Sequence, residues 1–208
     1  MKILIPARMG SKGFPKKNRI LFDYTARIIP KDFIKNTVVS TDDPEIVKMA
    51  ESYNFLVHHR SEELSRDETS TKEVVESFLK QEIIDDNSKL TALLYLTYPQ
   101  RKWDDVVRAK ELIDSSKSKS LLCAFDIEAH PFLMAFEMPG HRGKQLYKHN
   151  LYRRQDYPKC FEISHFVCMF YDDEVKNLNN NLYNEDTYFM KCNKKVDVDL
   201  LEHFLKIQ

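Results

Sequence analysis

Ile3-Leu4-Ile5-Pro6-Ala7-Arg8-Met9-Gly10-Ser11-Lys12-Gly13-Phe14-Pro15-Lys16-Lys17-Asn18 runs from a short apolar segment straight into a loop holding four cations, two glycines and a serine. This is the pattern of a buried strand feeding a polyphosphate-binding loop: glycines let the backbone come close to an anion and the cations neutralise it. Neither G-x-G-x-x-G nor G-x-x-x-x-G-K-[ST] is present. Chemistry alone leaves a phosphate ligand and an ordinary basic surface loop both open.

Outside this loop the composition is even. The 208 residues are enough for one domain with a substantial core, and 42% hydrophobic with 31% charged residues suits an ordinary globular chain. Lys plus Arg and Asp plus Glu are 32 each, so no global field favours nucleic acid or an anionic membrane, and any anion site must be local. The apolar run after Met1 is too short to read as a signal peptide, and no later run has membrane-spanning length. Cys123, Cys160, Cys168 and Cys192 show no metal-ligand spacing and read as thiols in a reducing, cytoplasmic setting.

Strands and helices alternate along the chain, which predicts an α/β layer architecture. Val38–Asp42 reads as a strand, with Asp43 as N-cap and Pro44 in the first turn of a helix reaching about Tyr53. Phe55–Val57 is a short strand candidate. Ser70-Thr71-Lys72-Glu73 is a capping box ahead of the apolar stripe Val74, Val75, Phe78 and Leu79. Leu90–Thr97 reads as one continuous buried strand, and Trp103–Ser115 as a helix with Val106, Val107, Lys110 and Ile113 along one side. Ser120–Asp126 and His165–Tyr171 are further strands. His130-Pro131 opens a less regular stretch to about Cys160, where His130 reads as a turn residue rather than a base. Asn177–Asn184 reads as an exposed loop.

Lys195-Val196-Asp197-Val198-Asp199 alternates like a strand, which places the carboxylates of Asp197 and Asp199 on one side. Two close carboxylates repel unless a cation lies between them, and a hard divalent ion such as Mg²⁺ (or Mn²⁺) removes that cost. An exposed strand end with a helix-capping aspartate explains the same residues without a metal. Leu200, Leu201, Phe204 and Leu205 then recur at helical spacing.

Ala7-Arg8-x-Gly10-Ser11-Lys12-Gly13-x-Pro15-x-Lys17-Asn18 resembles the signature loop of the acylneuraminate cytidylyltransferases, the CMP-sialic acid synthetases and their relatives. Ser11-Lys12-Gly13 separates it from the CMP-Kdo synthetases, where the equivalent run usually carries a threonine and an arginine. Further blocks follow in family order: Ser40-Thr41-Asp42, then Arg60, Leu64 and Asp67, then Thr97, Pro99 and Arg101. Arg154-Gln155-Asp156-Tyr157-Pro158 and the terminal Asp197-x-Asp199 complete the series. Departures fall at Tyr95, Tyr98 and Ser164-His165, where relatives carry other residues on the sugar side.

The resemblance implies a three-layer, nucleotide-diphospho-sugar transferase-like (Rossmann-like) fold with a mostly parallel sheet. It also implies a single domain over 1–208, with 130–160 as a dimerisation extension of a homodimer. The implied reaction joins CTP to a nine-carbon 2-keto sugar acid, giving the CMP-sugar and pyrophosphate. Catalysis would fall to Arg8, Lys17 and Asp199. Ala7, Arg8, Gly10, Ser11, Lys12, Lys17, Asn18, Arg60, Ser70 and Thr71 would hold the nucleotide. Tyr95, Arg154 and Gln155 would face the sugar, and Asp197 and Asp199 the metal.

Overall fold

The computed structural model describes residues 1–10, 12–84 and 88–207. The apolar run at the N-terminus forms β1 (Lys2–Pro6), with Ile3, Leu4 and Ile5 fully buried. Helix α1 (Lys17–Ala26) leads to β2 (Thr37–Thr41), and α2 (Pro44–Ser52) to β3 (Leu56–His59). After α3 (Thr71–Lys80) come β4 (Leu90–Leu93), α4 (Trp103–Ser115) and β5 (Ser120–Asp126). A hairpin of β6 (Ala135–Met138) and β7 (Arg142–Gln145) precedes β8 (Phe161–Tyr171), β9 (Tyr188–Lys191) and α5 (Leu201–Leu205).

Seven strands make one sheet in the order β3-β2-β1-β4-β8-β5-β9, in which only β8 runs antiparallel to its neighbours. Successive side chains of β1 point to opposite faces and so feed two cores. Ile3 and Ile5 pack with Leu21 and Phe22 of α1, Ile46 of α2 and Val106 of α4. Leu4 packs with Val75 and Phe78 of α3 and with Leu178 and Leu182. The result is the α/β layer architecture expected from the alternation, in the three-layer form that the resemblance implied. No described helix is long and apolar enough to cross a membrane.

Local chemistry places most elements where the patterns put them. Asp43 caps α2 by accepting from the Glu45 N–H, and Ser70 with Glu73 forms the reciprocal box that opens α3. Several expectations need correction. The strand predicted over Leu90–Thr97 stops at Leu93. Leu94 N–H still donates to Leu4 at 2.9 Å, but the chain then turns, and the Arg101 guanidinium takes the Tyr95 carbonyl at 2.8 Å. The buried stripe of α4 is Val106, Ala109 and Ile113, while Val107, one position round the helix, is 40% exposed. β8 begins at Phe161 rather than His165, because Phe161–Ser164 pair with β5. β9 and the β6–β7 hairpin have no counterpart in the sequence expectations. The asparagine-rich loop is anchored by buried Leu178 and Leu182. All four cysteines are free thiols, Cys123 and Cys168 buried and Cys160 and Cys192 half-buried.

Candidate active site

From β1 the chain passes to β2 and β3 on one side, then returns to β4 on the other. The carboxyl ends of parallel strands flank a crevice at such a switch point, the usual place for a ligand in an open α/β sheet. Here a cleft of about 300 Å³ opens there, with Arg8, Lys17, Asn18, Arg60, Asp197 and Asp199 in its walls.

The cation loop is tied down by its neighbours. Ala7 gives its N–H to the Ser40 carbonyl at 2.8 Å and accepts from the Thr41 hydroxyl at 2.6 Å, so both of its backbone groups serve the fold. Asp42 accepts from the Met9 N–H at 2.7 Å, and Asn18 Nδ2 donates to the Arg8 carbonyl at 2.9 Å. Asp43 adds a bidentate pair with Arg19 to its capping bond. Asp43 therefore serves as the expected cap, whereas Asp42 caps no helix and ties down the cation loop instead. Gly10 has φ +85°, a conformation that favours glycine. Ser11 lies outside the described residues.

Gly13 has a different task from the anion approach expected of it. A Cβ there would lie 2.8 Å from the Asp199 carbonyl oxygen and 3.0 Å from Leu200 Cδ2, so the loop packs directly on the backbone of the acidic segment. Gly13→Ala is expected to cost about 1–3 kcal/mol through overpacking. It should also lower kcat/KM at least tenfold, since Asp199 moves with its backbone. Denaturant midpoints and pyrophosphate release measure the two effects, and a variant with wild-type activity would refute the contact's importance.

Three of the loop's four cations face a carboxylate of the same site. Arg8 Nη2 lies 2.7 Å from Asp67, which also pairs with Lys12, and Lys17 Nζ lies 2.7 Å from Asp199. The bonds from Lys12 and Arg8 hold the Asp67 carboxyl below the usual carboxylate range. Asp67 therefore stays charged and competes with any anion for these two cations. Asp67→Ala is expected to tighten CTP binding about two- to fivefold, the scale of partly exposed ion pairs. Titration of CTP at fixed ionic strength checks this; weaker binding would mean that Asp67 orients the cations instead.

On the opposite wall, the Ser70 hydroxyl is engaged with Glu73 and lies outside the cleft lining, whereas Thr71 lines the cleft and accepts from the Tyr95 hydroxyl at 2.9 Å. Burial raises the Tyr95 hydroxyl above its ordinary pKa, so it stays a donor. Burial lowers the Arg60 guanidinium to about 10, which leaves it charged at neutral pH.

Asp197 and Asp199 flank buried Val198 and both line the cleft. The segment is not a sheet strand, contrary to expectation. Its ladder reduces to Val198 N–H donating to Thr97 at 2.8 Å, and Asp199 N–H turns back to the Asp197 carbonyl at 3.1 Å. Both residues nevertheless line the same cleft. Among the described residues no cluster of three or more His, Cys, Asp or Glu could hold a metal. Two aspartates beside a cationic loop suit a hard divalent ion that completes its shell with substrate phosphates and water. Beyond Asp197 a second cavity of about 450 Å³ is lined by Tyr98, Ser164, His165, Lys195 and Lys206. Burial, then the Asp197 charge, raise the Tyr98 hydroxyl's pKa.

A cytidylyltransferase family model matches residues 2–111, the part of the chain that carries the cation loop and the first four parallel strands. The chain belongs to the cytidylyltransferase family. This makes it a CTP-dependent cytidylyltransferase. A pseudaminic acid cytidylyltransferase of Campylobacter jejuni is 30% identical over 175 residues, 76% of this chain and 72% of that protein. An N-acylneuraminate cytidylyltransferase of Streptococcus agalactiae is 26% identical over 216 residues, 98% of this chain and 51% of that protein. The chain thus spans about half the length of the streptococcal relative. Among solved structures, a CMP:2-keto-3-deoxy-manno-octonic acid synthetase complexed with CTP has the same fold. It shares a TM-score of 0.67 at 14% identity, over 99% of this chain and 95% of that one.

In this cytidylyltransferase the structure gathers Arg8, Lys17, Asn18, Arg60, Thr71, Tyr95, Asp197 and Asp199 in one cleft. Gly10 lines a neighbouring recess with Arg8 and Lys17, and Lys12 reaches in only through Asp67. Arg154 and Gln155 stand exposed in the 130–160 arm, outside the residues lining either cavity. His130 accepts from Phe132 N–H at a turn and lies 2.8 Å from the Pro158 carbonyl, as a turn residue should. Thr97, noted only as a family match, and Lys195 line the cavities although neither was assigned a site role. A lysine next to the Asp-x-Asp pair was the available signal for the second.

Proposed function

We propose that this chain activates a nine-carbon 2-keto sugar acid with CTP, giving the CMP-sugar and pyrophosphate. The observation that carries this reading is that two cavities meet at Asp197, one walled by Arg8, Lys17 and Arg60, the other by Tyr98, His165 and Lys195. The first suits a nucleoside triphosphate. The second, with lysines at its rim, suits a compact acid. The relatives named for pseudaminic acid and N-acylneuraminate support an acidic sugar of this class.

Arg8 and Lys17 clamp the triphosphate, Asn18 steadies the loop through Arg8, and Arg60 with Thr71 meets the base or ribose. The sugar's anomeric hydroxyl attacks the α-phosphorus in line as pyrophosphate leaves, chemistry that depends on alignment and charge neutralisation. Asp197 and Asp199 would hold Mg²⁺ or Mn²⁺, which when bound screens the phosphates and acidifies the attacking hydroxyl. Tyr98 and Lys195 border the sugar, Tyr95 stands between the two cavities with its hydroxyl on Thr71 and its ring against His165, and Arg154 and Gln155, outside both cavities, serve a subunit contact. The chain acts as one domain whose 130–160 arm meets a second copy; exposed Leu133, Phe136, Met138, Tyr147 and Tyr152 along that arm favour such a partner. Four free thiols favour a cytoplasmic setting.

Pyrophosphate release tests the reading, using CTP and Mg²⁺ with sialic, legionaminic, pseudaminic and Kdo acids, and ATP, GTP and UTP as controls. Release with CTP and one nine-carbon acid is the expected result. Release with Kdo alone would replace the sugar. Tyr98 and His165, which depart from the family pattern at the second cavity, favour one other reading, a CTP-binding homologue without turnover. Silence across the panel with CTP still bound would select it.

A further inference from the structure

Arg60 sits just past the end of β3, two residues after His58, so both side chains leave the same face of the sheet. Ser40 of β2 is the direct register partner of His58 across the parallel pair. Arg60 Nε donates to Ser40 Oγ at 2.9 Å, and Ser40 Oγ lies 2.8 Å from His58 Nδ1. His58 Nε2 lies 3.2 Å from Ser77 Oγ on α3. Ser40 and His58 are fully buried.

The protons in this chain have one consistent direction. Arg60 can only donate, and of the two partners of Ser40 Oγ only Nδ1 of His58 can take the buried hydroxyl hydrogen, so Ser40 accepts from Arg60 and donates to Nδ1. Nδ1 is therefore bare, and Nε2 carries the hydrogen toward Ser77. A protonated imidazole would turn Nδ1–H against the Ser40 hydroxyl and set two cations on either side of one oxygen. Burial, then the Arg60 charge and the neighbouring His59, push the His58 pKa down to about 4. The neutral tautomer holds across the physiological range. Phe78 closes the other side of the ring at 6.3 Å and adds no charge.

We propose that His58 is a positioning residue for nucleotide binding, acting through Ser40 to fix the Arg60 guanidinium in the CTP cleft. This rests on the reading of Arg60 as a nucleotide contact. His58 touches no ligand itself. Without an acceptor at Nδ1, the Ser40 hydrogen has no fixed direction and Arg60 loses a defined seat. Affinity for CTP then suffers while the chemical step does not, the mark of lost uniform binding.

The test compares His58→Leu, His58→Asn, Ser40→Ala, Arg60→Ala and the His58→Leu/Arg60→Ala double variant, by CTP titration and by KM and kcat. His58→Leu and Ser40→Ala are expected to raise KM for CTP about tenfold with kcat within threefold of wild type. Asparagine, whose amide oxygen can replace Nδ1, should restore KM to within threefold. In the Arg60→Ala background, His58→Leu should add nothing. Equal His58→Leu penalties with and without Arg60 would overturn the relay and leave a packing role. If His58→Leu does not fold, Ser40→Ala and His58→Asn carry the same comparison. If wild type binds CTP but Arg60→Ala binds it equally well, Arg60 is no nucleotide contact and the proposal falls with that assignment. If wild type binds no CTP, the functional reading itself falls.

Discussion

Lys17→Ala is expected to lower kcat/KM for CTP-dependent pyrophosphate release by about 10²–10³, the loss seen when one preorganised charge-stabilising donor is removed from an active site. Lys17 opens α1 at the base of the cation loop; its side chain is only 13% exposed, and its ammonium sits 2.7 Å from Asp199. Among the described residues lining the cleft it is the one lysine, and its low exposure means that less water screens its attraction for a phosphate. Lys12, at 81% exposure, lacks that advantage, and Lys12→Ala should cost far less. Because the Asp199 carboxylate is 64% exposed, losing its partner leaves a charge that water can solvate, and the fold should be little affected. Arginine at 17 keeps the charge but spreads it over a wider fork, and should recover only part of the rate. Steady-state kinetics beside thermal unfolding separates the two effects. Activity within threefold of wild type would remove Lys17 from the mechanism.

The two chemical ends of this cleft were legible in the sequence for different reasons. The cation loop is local: glycines, cations and the preceding apolar strand are contiguous, so its residues raise the phosphate-loop reading and the family resemblance decides it. Asp197 and Asp199 lie two apart, and that short period survives even though the segment joins no sheet. What could not be read was contact between distant stretches. Gly13 touches the backbone of Asp199, Asp67 reaches back to Arg8, and Ser40 bridges Arg60 to His58. Nothing in residues 10–20 announces a neighbour near residue 200. Strand limits failed where tertiary bonds override propensity, as at Leu94–Thr97, an apolar run that turns because Arg101 claims its carbonyl. β9 was missed because Tyr188–Lys191 is only four residues long and follows a polar loop.

Arg101→Ala is expected to destabilise the protein by about 3–5 kcal/mol, the range for breaking a buried charged contact and leaving its partners unpaired. The side chain is 2% exposed. Its Nε donates to the Phe166 carbonyl at 2.6 Å and its Nη2 to the Tyr95 carbonyl at 2.8 Å, while the guanidinium lies 5.8 and 5.7 Å from the Tyr98 and Phe166 rings. Nη1 has no hydrogen-bond partner among the described residues and burial lowers the pKa to about 10, so the group is held in place against an unfavourable desolvation. The cost must be offset by what the side chain organises. Those two carbonyls belong to the turn after β4 and to β8, and the same turn presents the Thr97 carbonyl that holds Val198 between the aspartates. Alanine would strand both carbonyls and open a cavity beneath the acidic segment. Lysine, with one compact head in place of a fork, cannot reach both and should recover less than half of the loss. Denaturant unfolding should show a lower midpoint with an unchanged slope. At temperatures where Arg101→Ala remains folded, its activity should fall further than its folded fraction, since Asp197 and Asp199 lose their support. A loss below about 1 kcal/mol, within the range of ordinary surface substitutions and small defects, would show that the turn holds itself without the guanidinium.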